Sequence, residues 1–131
     1  MKKVIDIICK VLLSLLLIMP ILGVTGIFPA PTADMYGTPE AFAFIKLLMD
    51  SKYIMFIEAI VFAAVVVCLW IRREALAALL LLPFTVNIVG FHAFLDSGLF
   101  TPGAIMADLL LVLNIYFLWR NWDKYKPLFN K

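Results

Sequence analysis

Four apolar runs divide the chain, covering about residues 4–28, 53–71, 75–95 and 103–119, with short polar breaks between them. An α-helix rises about 1.5 Å per residue, so runs of this length match the roughly 30 Å of hydrocarbon in a bilayer. The breaks fix how the runs connect. Pro29-Ala30-Pro31 and the polar segment through Gly37 end the first run. Thr38 before Pro39 reads as an N-cap with proline at the first helical position. A short helix then covers about residues 39–50, with Glu40, Lys46 and Asp50 on one side and Phe42, Ile45 and Met49 on the other. It is too short and too charged to span, and its place is along the interface or folded over the bundle, with Phe42, Phe44 or Leu48 turned inward. Arg72-Arg73-Glu74 leaves room for only a tight turn, so the second and third runs are antiparallel neighbours. Asp96-Ser97-Gly98 closes the third.

The pattern predicts an all-α fold: an integral membrane four-helix bundle with a short extracytoplasmic amphipathic helix between spans one and two. Residues 1–131 make one domain. Composition agrees, because 65% hydrophobic and 15% charged residues, with a mean hydropathy of +1.06, lie far outside the soluble range. The lipid bilayer is the first partner. A net charge of +2 is too small to argue for nucleic acid.

Charge placement sets the orientation. With the N-terminus inside, Lys2, Lys3, Lys10, Arg72, Arg73, Arg120, Lys124, Lys126 and Lys131 are cytoplasmic and only Lys46 and Lys52 lie outside. Trp70, Trp119 and Trp122 fall at the inner boundary and Tyr53 at the outer one, where amphipathic rings prefer to sit. The expectation is a multi-pass protein of the cell inner membrane with both termini cytoplasmic. Met1-Lys2-Lys3 before an apolar run also fits a secretory signal, but the length of the run and the lack of a small-x-small site favour a retained span. Pro20, Gly23 and Gly26 predict a kinked or closely packed outer half.

Candidate chemistry sits inside the spans. Glu58, His92 and Asp108 all fall in the outer third of the bilayer, at a depth where lipid offers them no solvation. Thr85 and His92, seven residues apart, share one face of the third span, with Asp96 close to that stripe. Asn87 lies off it, and Asn114 points away from Asp108. Pro83 frees the carbonyl of Leu79, a group for Thr85, Asn87 or a neighbouring helix to satisfy. For these polar residues the plain alternative is interhelical hydrogen bonding, strongest for Asn87 and Asn114. Glu58 and His92 are expected within hydrogen-bonding reach, directly or through one water, with Asp108 on the opposing wall. Glu58, His92, Asp108, Thr85 and Asn87 form the candidate ligand-binding set. No catalytic residue and no metal set is assigned: there is one His, no CxxC and no glycine-rich phosphate loop. Cys9 and Cys68 fall near cytoplasmic helix ends, where thiols stay reduced.

The stretches "SKYIMFIEAIVFAAVVVCLW", "LLPFTVNIVGFHAFLD" and "LNIYFLWRNWDKYKPLF" carry a resemblance over nearly the whole chain. It resembles the DoxX-like family of small four-helix bacterial membrane proteins. Glu58, Asn87 and His92 match that family's pattern, whereas "GVTGIF" departs from it by placing Gly26 where members often carry a polar or lysine step before a Phe. The resemblance implies association with membrane oxidoreductase complexes, a quinone-linked enzyme or, in distant relatives, membrane-protein assembly. It implies no specific reaction. Three functional classes follow. The first is an accessory or redox-associated membrane component whose polar outer-leaflet pocket takes a quinone, lipid or other small molecule. The second is a membrane-protein assembly or interaction factor without a ligand, and the third a small transporter or proton pathway. The first leads, without independent catalytic activity and with quinone as a candidate cofactor that no motif specifies. The third is weakest, because no internal repeat or paired broken helices are visible.

Overall fold

The computed structural model describes residues 1–96 and 98–130; Ser97, in the third break, and Lys131, counted with the inner charges, lie outside the described residues. Six α-helices follow in order: α1 Lys2–Gly23, α2 Pro39–Ser51, α3 Tyr53–Trp70, α4 Glu74–Gly90, α5 Ile105–Arg120 and α6 Trp122–Tyr125. A π turn, Phe91–Leu95, continues α4, and 3-10 turns cover Ala33–Met35, Pro102–Ala104 and Lys126–Phe129. The described residues contain no strand. Four helical stretches are long and apolar enough to cross a membrane: Lys2–Gly23, Tyr53–Trp70, Glu74–Leu95 and Pro102–Arg120.

The first helix is shorter at its far end than the apolar run. Thr25 and Gly26 donate back to the carbonyls of Leu22 and Gly23, and Gly26 takes φ +81°, so the chain turns out at Gly23 instead of continuing to Phe28. Apolarity continues past the helix, but backbone geometry does not. α2 starts as its sequence predicts: Thr38 is extended, its hydroxyl accepts from the Ala41 N–H at 3.1 Å, and Pro39 follows. One left-handed residue, Lys52 at φ +66°, ends α2 and opens α3. The tight turn from α3 to α4 is a Schellman-type cap, in which the Arg73 N–H reaches the Cys68 carbonyl at 2.8 Å and Arg72 sits at φ +65°.

α4 packs on α3 and α5, and α1 closes the bundle against α3 and α5. The core is a column of Leu13, Leu17, Phe62, Val65, Leu69, Leu81, Leu110, Leu113 and Phe117. Ala77, Ala78 and Ala107 are buried where α4 meets α5, and such small residues let backbones approach closely. There Asn114 donates to the Ala78 carbonyl at 3.1 Å, a bond of the kind worth roughly 0.6 kcal/mol in membrane bundles. Only 17–33% of each spanning window is buried. The outward faces, with Ile8, Ile60, Val67, Val86, Val112 and Ile115, are apolar and exposed, which suits contact with lipid.

At the end holding Asp6, the helices are tied by polar pairs. Lys10 of α1 meets Glu74 of α4 at 2.6 Å, and Arg120 of α5 meets Asp6 of α1 at 2.9 Å. The Tyr116 hydroxyl also donates to Asp6. Trp70 donates from its indole N–H to Ser14 at 3.0 Å, and the buried Tyr125 donates to the Ala75 carbonyl at 2.8 Å. α6 is a turn the apolar pattern did not announce, and Tyr125 is what fastens it.

Candidate functional site

At the opposite end, α2 packs on α3 and on the π turn Phe91–Leu95 and partly covers an open cavity of about 280 Å³. Its apolar wall is Phe44, Ile45 and Leu48 from α2, Met55 from α3 and Ile88 from α4, with Tyr36 and Phe91 completing an aromatic corner. Its polar wall is Glu58, Asn87 and His92. Phe44 stacks on Phe91 with ring centres 5.8 Å apart, and Tyr36 meets Phe91 edge-on at 6.2 Å. Phe44, Asn87 and Phe91 also line a wider, more open groove of about 510 Å³ along Pro83, Gly90 and Phe94.

The roof is latched by polar contacts. The Gly37 N–H donates to Asp96 Oδ1 at 2.7 Å, and the Thr38 hydroxyl donates to the Leu95 carbonyl. The other Asp96 oxygen, Oδ2, lies 3.2 Å from Nδ1 of His92. That contact has ion-pair distance without the alignment of a hydrogen bond, so we treat it as electrostatic contact and not as a satisfied donor. One carboxylate therefore touches both the roof and the cavity's imidazole. Tyr36 sits under the same roof, where burial and then the Asp96 charge push its phenol above the usual value near 10.

A π turn ends this helix beside the cavity. An i→i+5 turn holds Phe91–Leu95, and the Asp96 N–H reaches the Phe91 carbonyl at 3.0 Å. Asn87 and His92 both line the cavity, although the regular helical ladder still joins the Phe91 N–H to the Asn87 carbonyl and the π turn begins only beyond it. Thr85 instead is fully buried in the core, and its hydroxyl has no hydrogen-bond partner among the described residues. It does not resatisfy the Leu79 carbonyl.

Comparison with known proteins adds nothing to this geometry. No protein-family model, no curated protein and no solved structure matches the chain.

Of the five candidate residues, the fold brings Glu58, Asn87 and His92 to one cavity and leaves Thr85 and Asp108 outside its lining. Asp108 falls in the first turn of α5, because the regular helix begins only at Ile105. There the free N–H groups and the helix dipole favour a carboxylate, which accounts for the residue without a ligand. No hydrogen bond joins Glu58 to His92; the carboxylate beside the histidine is Asp96, four residues on. Glu58 faces the cavity with no hydrogen bond or ion pair among the described residues. Sequence reasoning missed Tyr36, a loop aromatic two positions before the Thr38 cap, and it missed the pairing of Asp6, Lys10, Glu74 and Arg120. Asp6 and Lys10, one helical turn apart at the edge of an apolar run, were the available signal for the latter. Cys9 and Cys68 are free thiols, and no three metal-binding side chains cluster among the described residues.

Proposed function

We propose that this chain is an integral membrane protein whose roofed cavity binds a small, flat, hydrogen-bonding molecule, with a quinone headgroup as the leading class. The observation that carries the reading is the convergence of Glu58, Asn87 and His92 on one cavity walled by Tyr36, Phe44 and Phe91. Ligand sites combine apolar and aromatic walls with a few polar groups that fix orientation, and this cavity has that make-up. Its volume of about 280 Å³ suits a headgroup better than a whole drug-sized ligand. The wider groove beside it, along Pro83 and Phe94, gives an attached isoprenoid or acyl tail a way out toward lipid.

Chemically the site can bind and orient. Asn87 offers both a donor and an acceptor, His92 offers an imidazole held beside Asp96, and Glu58 offers a carboxyl group with spare hydrogen-bonding capacity. That matches a membrane component that presents or senses a redox-active lipid, as the resemblance to DoxX-like proteins also implies. An assembly factor would need no such roofed, partly polar space.

In the orientation we propose, the Asp6 end is cytoplasmic and α2 extracytoplasmic, in a bacterial inner membrane, because nine of the eleven basic residues then lie inside. Cysteines introduced at Thr32 and Asn130, with Cys9 and Cys68 replaced by Ser, test it: an impermeant thiol reagent should label the first in intact cells and not the second. For the ligand, the decisive experiment is purification in mild detergent with mass spectrometry of co-purifying quinone, lipid and protein. A bound quinone or quinone-like lipid supports the reading. A stoichiometric protein partner with an empty cavity would replace it with the assembly reading.

A further inference from the structure

At the Asp6 end the carboxylates are matched. Glu74 is engaged by Lys10 at 2.6 Å, Asp6 by Arg120 at 2.9 Å and Asp123 by Lys126 at 2.8 Å. Arg72 and Arg73 have no ion pair among the described residues, Lys124 acts on Glu74 only at longer range, and all three cations line one concavity of about 460 Å³. Its remaining wall includes Cys68, Ile71 and Leu76, so cations stand beside an apolar surface, and no carboxylate contributes to the lining. Trp119 and Trp122 are exposed at the same end, as rings at headgroup depth are.

A second observation concerns the turn itself. Arg72 adopts φ +65° at the position of a Schellman cap where glycine is the usual residue. An L-residue is strained there, because its Cβ crowds the following carbonyl. The turn alone would be better served by glycine. Lys52 shares this backbone conformation at φ +66°, so the strain itself names no ligand; what sets Arg72 apart is the cluster of cations it stands in.

We propose that Arg72, Arg73 and Lys124 form a binding site for the headgroup of one anionic phospholipid, with its first methylenes against Ile71 and Leu76. Basic pockets between membrane helices take anionic headgroups because the phosphate is held by several cations at a low-dielectric boundary. A choline headgroup would set its own cation against three others. This site is separate from the roofed cavity, and either can fail without the other.

The test uses the full chain in mixed phosphatidylglycerol–phosphatidylcholine bilayers, released for native mass spectrometry. The wild type should retain one phosphatidylglycerol in preference to phosphatidylcholine. Each lysine or arginine near an anionic surface contributes roughly fivefold in affinity, so R72Q/R73Q should weaken that preference by roughly tenfold or more. K2Q/K3Q, which removes equal charge at the same end, should leave it unchanged. R72G separates binding from folding: it relieves the strained φ, so its thermal midpoint should hold or rise while the retained lipid falls. Equal retention of both lipids by the wild type, an unchanged preference in R72Q/R73Q or R72G, or the same loss in K2Q/K3Q would each overturn the site.

Discussion

The two ends of the bundle use polar residues in opposite ways. At the Asp6 end, charged groups from α1, α4 and α5 are paired with one another, and hydroxyl and indole groups bond across helices. At the His92 end, Glu58 and Asn87 reach into a cavity, and Asp96 is shared between roof and histidine. The contrast separates two reasons for keeping polar groups in a membrane helix. Paired charges fix which helices meet. Groups turned into a space are an expense to the fold unless something fills it. Stability should therefore be lost by mutation at one end, and binding at the other.

The largest expected effect tests the paired end. Lys10 and Glu74 keep only 14% and 21% side-chain exposure, so Lys10→Met leaves a half-dry carboxylate with only its own backbone N–H and the more distant charge of Lys124 and should cost about 2 kcal/mol. Lys10→Met/Glu74→Leu removes both charges and should recover most of that loss, because an apolar pair carries no desolvation penalty. Thermal unfolding in detergent of the wild type, both single variants and the double variant gives the coupling. If the double variant is as unstable as the sum of the singles, the pair does not organise the Asp6 end.

Glu58 carries the matching test at the other end. Glu58→Gln should leave the unfolding midpoint nearly unchanged and lower ligand retention roughly tenfold, the scale of one hydrogen bond to a charged group. Glu58→Leu should abolish retention and hold or raise the midpoint, since an apolar side chain fills the space without a desolvation cost. Unfolding by Glu58→Gln, with retention intact in Glu58→Leu, would make Glu58 structural and erase the contrast between the ends.

How far the chain could be read in advance follows the same division. The four apolar helices and the capped α2 were legible, because length, apolarity and the Thr38-Pro39 start act locally. Glu58 and His92, expected at one depth, do line one cavity. Azimuth was not legible. His92 lines the cavity with Asn87 while Thr85 is buried in the core, and helical spacing had put His92 and Thr85 on one face. Asp108, expected near the outer end of the fourth span, does fall in the first turn of α5, but it lies outside the cavity lining and not on its opposing wall. The pairs at the Asp6 end join residues more than 60 positions apart in sequence (6 with 120, 10 with 74), and such partners appear only once the helices are side by side.

A smaller effect probes the roof. Thr38 accepts from Ala41 N–H and donates to the Leu95 carbonyl, so Thr38→Ala loses the cap of α2 and one latch together. The cap alone is worth about 1 kcal/mol. Amide exchange over residues 38–45 should accelerate roughly fivefold while α3 and α5 stay protected, since a local opening does not unfold the bundle. Uniform acceleration across all helices would mean that α2 is part of the cooperative core and not a separable roof.

The smallest and most specific signal is the titration of Tyr36. Burial under the roof, and then the Asp96 charge, lift its phenol above the ordinary value near 10. Because the folded value exceeds the unfolded one, the folded chain holds the proton longer. The stability this contributes is complete below about pH 10 and is lost as pH rises through the folded value. Phenolate absorbance of the wild type minus that of Tyr36→Phe isolates this group from Tyr53, Tyr116 and Tyr125. The difference should titrate above pH 10. Asp96→Asn should move it only part of the way down, since burial is the larger cause, whereas Thr38→Ala, by opening the roof, should move it further. A Tyr36 that titrates at its ordinary value in the wild type would mean that the roof is open in solution, and the distinction between a paired end and a roofed one would then rest on Glu58 alone.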